Sequence, residues 1–208
     1  MLGRFSSKPS SESKDGKPKS GEKPAHPSNV GRIVLPPESA ITPGNKNKNL
    51  HLSLDVGAVY VAMFEMVNVK HYHWALVVAT NPRSGMLYHN TNTGGSYSFQ
   101  AYYHSHLLNS ASLLALIRIS SLSPLNRRIH QRFAERMQSV PVADRTCRPW
   151  LWDAIHVVAE EGFLGFDINR PRLFDDLEDE CIAALAFREE PNETVMISSR
   201  IDDTTRLE

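Results

Sequence analysis

The stretch "ADRTCRPWLWDAI", residues 143–155, holds Cys147, one of two cysteines in the chain. Pro149 and the tryptophans beyond it read as the first turn of a helix, which puts the thiol at a helix N-terminus. The positive end of the helix dipole, with Arg145 and Arg148 alongside, favours the thiolate there. A nucleophilic thiol also needs a base, most often a histidine supplied by the fold from elsewhere in the chain. His71, His73 and His89 are the candidates, in or beside the apolar runs "HYHWALVVAT" (71–80) and "MLYHNT" (86–91). On a strand His71 and His73 share one face, and Tyr72 and Trp74 share the other. His73, deeper in its run, is the first choice. The same residues also read as an inert core cysteine and a half-exposed strand edge.

A second group of reactive side chains is "FDDLEDE" (174–180), with five carboxylates in six positions. On a helix Asp176 and Glu180 stand one turn apart and can hold a guanidinium between them, with Asp175 and Glu178 nearby. Acidic residues in a first helical turn also simply complement the dipole. Arg128, Arg132 and Arg136 recur every fourth residue and form a basic helix face that suits a phosphate backbone or plain solvation. "HYH" and "HSH" (104–106) offer alternate histidines, but no third ligand at a zinc spacing, so no metal and no cofactor are expected.

These residues must be held by a folded domain. The chain has 208 residues, 41% hydrophobic and 22% charged, with zero formal net charge. The zero hides an asymmetry: residues 1–48 hold nine Lys/Arg against four Asp/Glu, about +5, and the remainder is about −5. Those 48 residues are rich in Ser, Lys, Pro and Gly and are expected to be a disordered tail. From residue 49 to 191 a single domain is expected, with residues 192–208 as a polar, frayed tail. Strands are expected at "LHLSL" (50–54), "VYVAMFEMV" (59–67), "HYHWALVVAT", "MLYHNT", "SYSFQAYYH" (96–104) and "SLLALIRIS" (112–120). Asn81-Pro82 with Gly85, and Gly94-Gly95, mark turns.

Three helices should follow. The first, from Ser123-Pro124 to Pro141, carries Leu125, Ile129, Phe133 and Met137 as its buried stripe. The second runs from about Arg148 to Gly162, and the third from Leu173 to Pro191. Strands followed by helices give an α+β fold, an antiparallel sheet packed by three C-terminal helices. With no signal-peptide core, no apolar run of about 18 residues and too few cysteines for a disulfide framework, a cytoplasmic protein away from membranes is expected.

The order "HWALVV" (73–78), then "TCRPWLWDAI" (146–155), resembles the circularly permuted papain-like superfamily, including lecithin:retinol acyltransferase-like and NlpC-like enzymes. That resemblance implies Cys147 as acyl-accepting nucleophile and His73 as its base, with His89 or Asn90 as a third, orienting residue. Thr146 stands where the superfamily often has Asn. A longer resemblance, over roughly residues 60–190, is to small fungal proteins sharing "YHWALVV", "LYH", the "LL.LIRI" strand, "VPV", "C..W" and an acidic helix. Among such proteins are the arginine-containing cyclodipeptide synthases, which use aminoacyl-tRNAs to build a diketopiperazine. Their DD-x-x-E motif is shifted here, since Glu178 lies three residues after Asp175 and Glu180 four after Asp176. The resemblance implies an acyl transferase of fungal secondary metabolism with aminoacyl-tRNA as partner and an amino-acid substrate. It also implies Asp175, Asp176, Glu178 and Glu180 as substrate contacts and Arg128, Arg132 and Arg136 as tRNA contacts. A Cys–His thiol hydrolase or amidase, and a non-catalytic binding protein, are the alternative readings of the same residues.

Overall fold

The structure is a computed structural model describing residues 49–66, 71–92, 95–120, 126–142, 145–190 and 193–204. The basic stretch 1–48, the Ser123-Pro124 helix start, Leu125, Gly94 and Pro191 lie outside the described residues.

Six strands form one sheet: β1 (Val59–Glu65), β2 (Tyr72–Asn81), β3 (Ser84–Thr91), β4 (Ser98–His104), β5 (Leu113–Ser120) and β6 (Val195–Ser198). Their spatial order is β4-β3-β2-β1-β5-β6, antiparallel throughout except for the parallel β5–β6 pair. Three helices, α1 (Arg127–Gln138), α2 (Cys147–Glu160) and α3 (Leu173–Leu185), follow β5, and a short α4 (Arg200–Thr204) ends the described chain. The fold is α+β.

The strands form where β-branched and aromatic residues cluster between turn residues. At the β2–β3 hairpin, Asn81 Oδ1 accepts the Arg83 amide at 2.9 Å, closing the turn around Pro82. Val59, Val61 and Met63 of β1, Trp74, Leu76 and Val78 of β2, and Met86 and Tyr88 of β3 face the helices. Against them pack Phe133 and Met137 of α1, Trp150, Leu151, Ala154, Ile155 and Val158 of α2, and Leu177, Cys181 and Ala184 of α3. Burying each large apolar side chain contributes about 1.5–3 kcal/mol. The intervening strand residues, Tyr60, Ala62 and Phe64, Ala75, Val77 and Ala79, and Leu87, point to the other face. Leu54, Ala58 and the 3-10 turn Leu107–Asn109 cover part of it.

Four expectations are corrected. "LHLSL" is a turn and irregular chain: Leu54 is buried but Leu50 is 71% exposed, so no alternating face forms. The buried face of α1 is His130, Phe133, Ala134 and Met137, and Asn126 caps its start by accepting the Ile129 amide at 3.0 Å. Ile129 is only half-buried, because the helix turns its stripe one residue onward to bond Tyr88 Oη to His130 Nδ1 at 3.2 Å. Helix α3 stops at Leu185, before the expected end at Pro191.

The C-terminal segment is no frayed tail either. β6 extends the sheet, and Asp202 is fully buried in an ion pair with Arg118 Nε at 2.6 Å. Asn49, beside the Thr194 that precedes β6, ties the two ends together. Its amide donates to Thr194 Oγ1 at 2.8 Å and to the Leu108 carbonyl at 3.0 Å, while its Oδ1 accepts the Thr194 amide at 3.2 Å.

Gly85 is a glycine because β2 leaves no room for a side chain. A Cβ there would lie 2.7 Å from the Val78 carbonyl oxygen and 2.9 Å from Val77 Cγ1. Gly85→Ala should lower the unfolding free energy by about 1–3 kcal/mol, read from the urea midpoint. An unchanged midpoint would show that the hairpin gives way at no cost.

Candidate functional site

Cys147 is the first residue of α2, and its thiol opens into a cleft of about 590 Å³. The cleft lies where the start of β2, the end of β3 and the first turn of α2 meet. His71, Tyr72, His73 and Trp74 come from the β2 side, Asn90 and Thr91 from β3, and Thr146 and Arg148 flank the cysteine. Ile182 of α3 and Met66 after β1 complete the apolar rim.

Helix α2 is seated by its packing. Trp150 is fully buried against Phe99, with ring centroids 5.6 Å apart, while Trp152 packs between Trp74 and Phe174 at 5.5 and 5.6 Å. The chain entering the helix is held by Asn90, whose Nδ2 donates to the Arg145 carbonyl at 2.7 Å. Asn90 is 1% exposed, and its Oδ1 has no hydrogen-bond partner among the described residues.

The thiol donates to the Tyr72 carbonyl at 3.9 Å, a long contact. Burial pushes its pKa up, opposed by the backbone amides of Trp74, Arg148 and Cys147 and by the Arg148 charge. The expected lowering is thus reversed. Burial outweighs the dipole, and both flanking arginines are engaged elsewhere: Arg145 with Asp153, and Arg148 with Glu178 at 2.6 Å.

The His73 ring has a histidine partner of its own. Trp74 points to the helices, so alternation sends the His73 ring to the opposite face, beside Phe64. There its Nε2 meets His89 Nδ1 at 2.6 Å, and His89 in turn packs on Tyr102 with ring centroids 5.7 Å apart. His73 and His89 therefore bond each other, while His73 also lines the cleft that Cys147 borders. Of the two suggested orienting residues, Asn90 shares the cleft with the thiol and His89 does not. The cleft is lined by two histidines, His73 and His71, the latter an exposed residue just before β2 whose ring is not committed to His89. Residue size was the signal that could have found this: Trp74, Leu76 and Val78 outweigh His73, Ala75 and Ala79, marking the even face as the one under the helices.

The acidic helix is already supplied with guanidinium groups. Asp175 faces Arg172 at 3.9 Å, Asp176 faces Arg170 at 3.7 Å, and Glu180 faces Arg200 at 3.7 Å. Glu178 holds Arg148 and accepts from Trp152 Nε1 at 3.4 Å, which links α3 to the first turn of α2. Asp176 and Glu180 do border one small cleft of about 270 Å³, shared with Arg170 and Arg200. On α1, Arg136 pairs with Glu161, whereas Arg128 and Arg132 are exposed with no partner among the described residues. Among the described residues no group of three or more His, Cys, Asp or Glu side chains is placed to hold a metal, and no helix is long and apolar enough to cross a membrane.

Fold and site thus define an α+β domain with a cysteine-bearing cleft at a helix N-terminus. No family model, curated protein or solved structure matches the chain.

Two titrations test this arrangement. Iodoacetamide alkylation of Cys147 should keep accelerating as pH rises past the ordinary thiol range near about 8.5, by about tenfold per pH unit below the thiol pKa. A plateau already reached at pH 7 would indicate an ion-paired thiolate instead. For His89, burial first and His73 second pull the pKa down to about 3, against a hydrogen bond with Gln100 that raises it. The unfolded chain binds that proton near pH 6.5, so stability is complete above 6.5 and is lost as pH falls toward 3. His89→Phe should flatten the acid limb between pH 6 and 4 by on the order of 1–3 kcal/mol, measured by urea unfolding at each pH. Parallel limbs for the two proteins would remove His89 as the cause.

Proposed function

We propose that the protein is an acyl-transfer enzyme, with Cys147 as nucleophile and His71 as the base that takes its proton. The observation that carries this reading is the cleft at the start of α2 that gathers Cys147, the buried Asn90 and two histidines, of which His73 is engaged with His89 and His71 is not. The thiol is mostly protonated at neutral pH, so a base is needed. In the first half-reaction the Cys147 sulfur bonds to the carbonyl carbon of an activated ester. The ester C–O bond breaks, and the alcohol leaves with the proton that His71 took from the thiol. In the second, an amine attacks the thioester, forming an amide and returning the thiol its proton. Backbone amides at the N-terminus of α2 favour the negative charge that develops on the carbonyl oxygen.

The sharper form of this reading is tRNA-dependent synthesis of an arginine-containing cyclic dipeptide. Aminoacyl esters need no further activation, only positioning and a proton path. The exposed Arg128 and Arg132 support it as phosphate contacts. The acidic helix lends it less support, since its carboxylates already hold this chain's own arginines.

Expression in a heterologous host with untargeted mass spectrometry is the test. New arginine-containing diketopiperazines are expected from the wild type. Cys147→Ala should abolish them, and His71→Ala should reduce them by roughly 10²–10⁴-fold. His73→Ala should keep most of the yield, because its Nε2 is engaged with His89. Products that survive Cys147→Ala would sink the nucleophile, and loss in His73→Ala with His71→Ala unaffected would reverse the assignment of the base.

A further inference from the structure

The cleft is amphipathic in a particular way. Of six large hydrophobic side chains exposed among the described residues, three stand together here: Met66 at 37%, Tyr72 at 38% and Ile182 at 45% exposure. They come from three separate elements and meet around one opening. A patch of this kind at the mouth of a cleft holds an apolar group better than it holds water.

Opposite lies Asn90. Its Nδ2 is committed to the Arg145 carbonyl, and that bond fixes which end of the amide is oxygen. Oδ1 is left buried and unpartnered, an arrangement costing on the order of 1–3 kcal/mol unless something donates to it. An oxygen can only accept here, so the missing partner is a donor. Cys147 lies on the same cleft as this acceptor and the apolar rim.

We infer that the acyl group the cleft takes is an aminoacyl group with an apolar or aromatic side chain. Its α-nitrogen donates to Asn90 Oδ1, its side chain packs on Met66, Tyr72 and Ile182, and its carbonyl meets Cys147. The inference rests on the proposed role of Cys147 as nucleophile. In the cyclodipeptide form of that role, this apolar residue is the one joined to arginine. Loading from a thioester balances simply: the Cys147 sulfur bonds the carbonyl carbon, the donor C–S bond breaks, and the donor thiol leaves carrying the proton from Cys147.

The test uses the full chain and a panel of N-acetylcysteamine thioesters, with Cys147 loading followed by intact-protein mass spectrometry. Phenylalanyl and leucyl thioesters should load about tenfold or more faster than 3-phenylpropionyl, which lacks only the amine, and faster than aspartyl. Ile182→Asp, at an exposed position, should slow phenylalanyl loading more than it slows alanyl loading. Asn90→Leu should erase the preference for phenylalanyl over 3-phenylpropionyl, with iodoacetamide labelling confirming that the thiol is still in place. The wild-type comparison stands alone if that variant does not fold. Equal loading of phenylalanyl and 3-phenylpropionyl by the wild type overturns the aminoacyl inference and leaves the thiol chemistry intact. Failure of every thioester to load, with iodoacetamide still labelling Cys147, overturns both.

Discussion

The hydrogen bond from Asn90 Nδ2 to the Arg145 carbonyl joins the start of α2 to the sheet, and the cleft depends on it. Trp150, Leu151 and Ala154 place the helix over the strands, but apolar packing is non-directional and tolerates small slides. A buried amide bonded to one carbonyl is far less tolerant, since breaking it strands a donor in a dry site. With that bond made, the first turn of α2 is fixed beside the ends of β2 and β3. Glu178 reinforces the position from α3 by holding both Arg148 and Trp152. The cleft thus sits where three layers of contact agree, one from a strand and two from helices.

The pleat of the sheet then sorts the polar residues into two sites with opposite character. Even positions on β2 and β3 belong to the helix side, where Trp74 and Asn90 meet α2. Odd positions belong to the far side, where His73 and His89 bond each other at 2.6 Å and both resist protonation because they are buried. A one-residue slip of β2 would exchange these sets. The register is protected against it by Trp74, Leu76 and Val78 on one face and Gly85 on the hairpin, which fits only against Val77 and Val78.

Much of this was legible in the residues. The apolar runs between Asn-Pro and Gly signals gave β2 through β5, and Pro149 with two tryptophans gave the start of α2 and hence the place of Cys147. Other parts depend on partners distant in sequence. β6 is four residues, three of them half-buried, whose strand character comes from pairing with Leu116 and Ile117, 80 positions earlier. Asp202 reads as a polar tail residue until Arg118 is seen against it. His73 was a reasonable choice by depth in its run, yet period two says which residues share a face and not which face the helices cover. The carboxylates of "FDDLEDE" looked available because two of their arginines, at 148 and 200, come from other helices that the sequence alone does not bring near.

Two forces act on the Cys147 sulfur, and their balance constrains any chemistry it performs. Desolvation holds the proton on, while the amides of Trp74, Arg148 and Cys147 favour the anion. At rest desolvation prevails, so the thiol is neutral and poorly nucleophilic. In the proposed reaction, acylation of the sulfur would bring the new carbonyl beside the amides that face it. Groups arranged to oppose the thiol's own desolvation would then stabilise negative charge one bond further on, at the oxygen of a tetrahedral intermediate. In the proposed reaction the same first turn of α2 thus acts twice, first on sulfur and then on oxygen. That requires the helix to stay seated, which Asn90 secures. A side chain that both anchors the turn and leaves its own oxygen buried and unpaired would couple, in that reaction, the position of Cys147 to whatever donates to that oxygen.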